Sequence, residues 1–150
     1  DIPVSNWLLR LLIVIYLATS VLLLSITSDF FNAVLQAIVE VVLILVFSGI
    51  ILFVSKRIAR YQQTASALMG TDAVISFFSL PAIATLSGQA SMLAFLTIVS
   101  LMIWHWAVSG HIFSKALDQP LTFGLAVAFM YILTSYQVMA FIFPELIVAE

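Results

Sequence analysis

Cysteine is absent from the 150-residue chain, which excludes disulfides, thiolate metal sites and a cysteine nucleophile. Charge is almost as scarce. Five Lys and Arg and seven Asp and Glu make up 8% of the residues, where a soluble domain carries roughly 25%. The formal charge of -2 and the lack of any basic cluster beyond one short loop exclude nucleic acid as a partner. Glycine numbers five and proline four, with no glycine-rich phosphate loop, low-complexity stretch or internal repeat. What remains is apolar. Hydrophobic side chains form 64% of the chain and the mean hydropathy is +1.24, so the solvent this sequence fits is a lipid bilayer.

A membrane-spanning helix needs roughly 20 mostly apolar residues. Windows of that kind predict an all-α integral membrane bundle of five transmembrane helices in a single domain, at about 7–27, 33–55, 64–86, 91–114 and 121–143. Ser28 and Asp29 end the first, Lys56 and Arg57 the second, the Ser87, Gly88 and Gln89 turn the third, and Pro144 the fifth. The segment from Lys115 to Pro120 is expected as the loop after the fourth. Such short connections make successive helices antiparallel neighbours and leave no room for a soluble catalytic lobe.

The positive side chains fix an expected orientation. Arg10, Lys56, Arg57, Arg60 and Lys115 all fall on one side, whereas the other receives Asp29, Glu145 and Glu150 and no cation. By the positive-inside rule the N-terminus is cytoplasmic and the C-terminus outside. Because the chain begins at Asp1, a leading segment is expected to have preceded it. The first span is too long for a signal-peptide core and lacks a small-x-small cleavage site. The short loops suggest a bacterial inner membrane.

Ionisable groups inside a span cost about 2.5 to 3.5 kcal/mol on insertion scales, so each should face the bundle interior or a partner. A rise of about 1.5 Å per residue puts Asp72 about 12 Å deep, His105 about 13.5 Å deep and Tyr16 and Tyr131 about 13 to 15 Å deep. Four helices thus bring polar groups to one layer near the midplane. Ser76 and Ser79 follow Asp72 at helical spacing, and Ser109 follows His105, so a polar stripe and an Asp72–His105 contact are expected. The same groups also suit interhelical hydrogen bonding that only fixes packing. A second polar contact is expected in the outer half, between Glu40, with Gln36 one turn before it, and Gln137.

His105 and His111 point about 240° apart on one helix, which excludes bis-His haem ligation within the chain. No metal-ligand spacing, Ser-His-Asp order or nucleophile elbow is present, so neither enzyme activity nor a cofactor is expected. Packing signals are commoner. Ser66 and Gly70, Ala67 and Thr71, Ala90 and Ala94, and Gly124 and Ala128 are small residues four apart, which let helices approach closely. Pro81 should kink the third span, with Thr85 or the Ser79 hydroxyl compensating the lost hydrogen bond. Trp104 and Trp106 lie deep rather than in the headgroup belt, and with His111 they are expected to form a face for a partner or a bound lipid.

Two segments carry a family resemblance. Arg60-Tyr61-Gln62-Gln63-Thr64-Ala65-Ser66-Ala67-Leu68-Met69-Gly70-Thr71 enters the third span, and Ile103-Trp104-His105-Trp106-Ala107-Val108-Ser109-Gly110-His111 is followed by the exit at Lys115, Ala116 and Leu117. With five spans, a cytoplasmic N-terminus and very short loops, the chain resembles the Ypt-interacting (Yip) type of membrane protein, including bacterial members of unassigned role. The resemblance covers nearly the whole chain. It implies topology, and in eukaryotic members an association with small-GTPase trafficking and membrane shaping, but no residue set whose chemistry carries over.

Two functions lead on this reading, and a third class, lipid-handling or enzymatic, would gain from a lipid-sized cleft near Trp104 and His111. One is a non-enzymatic scaffold or accessory subunit, in contact with membrane lipids and with another integral membrane protein or a second copy. The alternative is a small permease or proton- or ion-conducting component that uses the Asp72, His105 and Tyr131 layer and Glu40.

Overall fold

The computed structural model describes residues 6–26, 28–88 and 92–144. The described residues contain five long helices and no strand: α1 (Asn6–Leu24), α2 (Phe30–Val54), α3 (Tyr61–Gly88), α4 (Met92–Leu117) and α5 (Leu121–Ile142). All five are long and apolar enough to cross a membrane, and the chain is a multi-span integral membrane protein. At about 1.5 Å per residue, the 19 to 28 residues of each helix cover about 28 to 42 Å.

Several boundaries differ from the sequence expectation. α1 ends at Leu24 rather than Thr27, which itself lies outside the described residues, and α2 starts at Phe30 rather than Ala33. Gly88, expected in a turn, is the last residue of α3, while Gln89, Ala90 and Ser91 lie outside the described residues, as do Glu145 and Glu150. Lys115, Ala116 and Leu117 form the last turn of α4 instead of a loop. Their backbone stays helical because the chain reverses one residue later. Asp118 takes the left-handed conformation (φ 53°), and Gln119 N–H bonds back to Ser114 O at 3.1 Å. The α2 exit repeats the device with Lys56 (φ 55°) and an Arg57 N–H bond to Leu52 O at 2.7 Å. A 3₁₀ turn, Ile58–Arg60, then leads into α3.

α3 packs against α1, α2 and α4, and α5 closes the bundle against α4 and α2. The closest approach is between α4 and α5. A methyl group added at Gly124 would collide with Gly110 O and lie 2.6 Å from Ser114 N, so only glycine fits there. Ser66 and Ala128 are buried and Gly70 faces Leu12 of α1, while Ala67 and Thr71 are half-buried. α3 runs through Pro81, and Ser79 Oγ donates to Ile75 O at 2.8 Å. That bond does not serve Phe77 O, the carbonyl that Pro81 leaves without its helical donor.

The outside is apolar. Phe53, Leu93 and Phe141 are 73%, 75% and 87% exposed, the reverse of a water-soluble surface and the arrangement lipid tails require. Hydroxyls on these faces are satisfied within their own helices, as in the Thr97–Leu93 and Thr134–Met130 bonds.

The cations gather at one end, termed here the basic end. Arg57 Nη1 and Arg60 Nη2 reach Asp118 Oδ2 at 2.6 and 3.2 Å, and Arg60 Nη1 also donates to Lys115 O at 2.7 Å. The Arg60 guanidinium, helped by Arg57, holds the Asp118 carboxyl below the usual carboxylate range. Gln62 Nε2 donates to Asn6 Oδ1 at 2.5 Å, which ties the start of α1 to the same end.

Candidate intramembrane polar site

Hydrophobic burial cannot explain the middle of the bundle, where polar side chains from all five helices meet. A cavity of about 420 Å³ is lined by Tyr16 and Ser20 of α1, Gln36 and Glu40 of α2, Asp72 and Ser76 of α3, His105 of α4, and Tyr131 and Ser135 of α5. The spacing has a local cause. On four of the helices the polar residues stand four apart, which puts both on one face and a single turn apart. Each pair turns inward because the rest of its helix offers lipid an apolar surface.

Two contacts organise the cavity. Tyr16 Oη donates to Glu40 Oε2 at 2.9 Å, linking α1 to α2. His105 Nε2 lies 2.9 Å from Asp72 Oδ1, linking α4 to α3. This second contact has ion-pair distance but not the alignment of a hydrogen bond, and neither atom has another hydrogen-bond partner among the described residues. Gln36 Oε1 is likewise buried without a partner. Buried polar atoms with no partner are rare in folded proteins, and Gln36 Oε1 is one. With the Asp72–His105 ion pair and a second carboxyl group, Glu40, lining the same cavity, the arrangement can accept a proton, a cation or water.

The cavity is asymmetric along the bundle axis. Leu23 and Leu24, near the end of α1, and Met139, near the end of α5, carry its lining towards the end opposite the basic one. Towards the basic end the bundle is filled. Ile44, Leu68, Met69 and Phe113 are fully buried there, and the Phe47 ring lies 5.3 Å from Tyr131 and 6.0 Å from Phe113.

Tyr16, Asp72, His105 and Tyr131 all line this cavity, and Glu40 lines it with them rather than forming a separate contact further out. Gln137 is exposed and takes no part. Six residues separate it from Tyr131, a turn of about 240°, so when Tyr131 faces inward Gln137 faces lipid. Ser20, Ser135 and the edge residue Tyr136 complete the lining and were not among the sequence candidates; Ser20 and Ser135 could have been found from their i+4 spacing to Tyr16 and Tyr131.

The tryptophans divide. Trp104 is 58% exposed, but Trp106 donates its indole N–H to Leu125 O at 2.9 Å and so joins α4 to α5 within the chain. His111 is exposed near the basic end, beside Lys115. Among the described residues no group of three or more His, Asp or Glu is placed to hold a metal ion. No family model, curated protein or solved structure matches this chain.

Proposed function

We propose that this chain is a non-enzymatic proton- or cation-handling membrane component, whose central cavity takes up the ion from the end opposite the basic one. The observation that carries the reading is the convergence of Asp72, His105, Glu40, Tyr16 and Tyr131 on one cavity inside the apolar bundle. Such groups are costly in hydrocarbon, and bundle packing alone would be served by pairing them completely. Here Asp72 Oδ1 and His105 Nε2 have only each other, at ion-pair distance, and Gln36 Oε1 is left without a partner among the described residues. The direct test is proton uptake into sealed liposomes under a potassium diffusion potential, with protein-free liposomes as the baseline. Uptake above that baseline supports the reading, and sodium or potassium flux instead of proton flux would make the ion a metal cation.

An accessory-subunit role is the second reading, favoured by the exposed Trp104 ring midway along α4. Copurification of a stoichiometric membrane partner, lost on replacing Trp104, tests it. Of the small-residue pairs, Gly124 and Ala128 are absorbed in contacts within the bundle, whereas Ser66, Ala67, Gly70 and Thr71 line an open recess. The Yip-type resemblance implies topology and does not choose between the two. A cytoplasmic N-terminus remains part of the proposal on the strength of the cation distribution, and a bacterial inner membrane on that of the short loops.

A further inference from the structure

A second cavity system lies between α3 and α4, apart from the central site. Near the basic end, a recess of about 770 Å³ is lined by Arg60, Gln63, Thr64, His111, Lys115 and Asp118, with Ala67 and Ile112 on its inner margin. Ala67 and Ile112 also line a second recess of about 760 Å³, whose walls are apolar apart from the Ser66 and Thr71 hydroxyls: Leu12 and Val74 on one side, Trp104 and Val108 on the other, over Gly70. The two recesses therefore adjoin along α3 and α4 and form a groove with a polar, cationic mouth and an apolar trough. From Lys115 to Trp104 the groove follows α4 for about 16 Å, which is about half of a hydrocarbon core roughly 30 Å thick. That is the depth of one leaflet.

We infer that this groove holds an anionic phospholipid, its phosphate at Lys115 and His111 and one acyl chain along Trp104. Charge decides the class of headgroup. Asp118, the one carboxylate at the mouth, is neutralised by Arg60 and Arg57, and Arg60 also holds the Lys115 carbonyl. Lys115 is exposed and forms no ion pair among the described residues, so the mouth presents an uncompensated ammonium group beside an imidazole. A zwitterionic headgroup brings its own cation to that position, whereas an anionic one does not. An inter-helix basic recess at headgroup depth that opens onto an apolar trough meets both halves of an anionic lipid.

Fluorescence quenching by brominated lipids tests the assignment. The full chain is reconstituted into phosphatidylcholine vesicles containing an equal mole fraction of either dibromo-phosphatidylglycerol or dibromo-phosphatidylcholine. The W104F variant supplies the background from Trp7 and Trp106. Trp104 should be quenched preferentially by the anionic bromolipid, and K115Q should reduce that preference by about fivefold. Lys115 is the residue to change because its side chain makes no tie within the fold, whereas replacing Arg60 would break the α3–α4 link. Inorganic phosphate in the buffer should leave the quenching unchanged; loss of the preference with phosphate would overturn a lipid in favour of a soluble anion. Equal quenching by the two bromolipids in the unmodified protein would also overturn the inference. So would protection of Trp104 from both, which would mean that a protein helix or a second copy fills the trough.

Discussion

The Tyr16 hydroxyl donates to Glu40 Oε2 across 2.9 Å and is the link between α1 and α2 inside the central cavity. It gives a carboxyl group in the membrane interior a donor without using a cation. Tyr16→Phe keeps the ring and removes the donor. It should lower stability by about 0.5 to 2 kcal/mol, since interhelical hydrogen bonds in membranes are worth less than the loss of a buried partner in water. Unfolding in increasing sodium dodecyl sulfate, compared with the unmodified protein, measures this. No change would mean that Glu40 finds another donor.

Backbone contact between α4 and α5 sets a second expectation. Gly124→Ala places a methyl group against Gly110 O and Ser114 N, both backbone atoms that cannot move aside, and Gly110→Ala brings one 3.0 Å from Leu125 Cα. Each should cost about 1 to 3 kcal/mol. Gly70→Ala meets only Leu12 Cδ2 at 3.6 Å and should be nearly neutral. Thermal unfolding of the three variants in one detergent ranks them. Equal tolerance at all three positions would contradict the packing.

The pairing of Asp118 predicts a pH dependence at the basic end. Its carboxyl is held below the usual range in the folded protein, chiefly by Arg60. The stabilisation is therefore complete above the unfolded-chain value of about 3.9 and is lost as pH falls through the lower folded value. Between pH 6 and 3 the unmodified protein should lose more stability than Asp118→Asn, and added salt should shrink the difference because the pair is exposed. Parallel pH profiles for the two proteins would refute the pairing.

Phe47 stands between Tyr131 and Phe113, on the filled side of the cavity. If that apolar layer separates the cavity from the basic end, Phe47→Ala should raise the proton permeability of proteoliposomes relative to the unmodified protein, with some loss of stability. Phe47→Leu fills more of the gap and should leak less. Permeability unchanged in both, with the proteins folded, would show that the layer is not the barrier.

Much of this architecture is legible in the sequence, and what is not has a geometric reason. Hydropathy alone is enough for five helices, because each apolar window has to hide its own backbone polar groups in lipid. Depth is equally legible, since rise per residue is constant, and it places Tyr16, Asp72, His105 and Tyr131 at one level. Azimuth is harder. Depth alone pairs Glu40 with Gln137, but Gln137 lies on the lipid-facing side of α5 while Glu40 turns to Tyr16. Helix ends were displaced where turn chemistry overrode composition: charged Lys115 reads as loop, yet the reversal belongs to Asp118, whose left-handed backbone no hydropathy pattern reveals. The groove beside α4 is half legible: Trp104 and His111 are expected on a lipid or partner face, but which residues of α3 stand opposite them is not read from hydropathy.

The account rests on the central cavity carrying an ion rather than only fixing the bundle. The most direct measurement compares Asp72→Asn and His105→Ala with the unmodified protein in one set of sealed liposomes, reading proton flux, and in detergent, reading thermal stability and monodispersity. The account predicts flux in the unmodified protein and its loss in Asp72→Asn, with assembly and stability nearly retained. Flux undiminished in Asp72→Asn, or no flux from the unmodified protein together with a marked loss of stability in both variants, would contradict it and leave these groups a structural role.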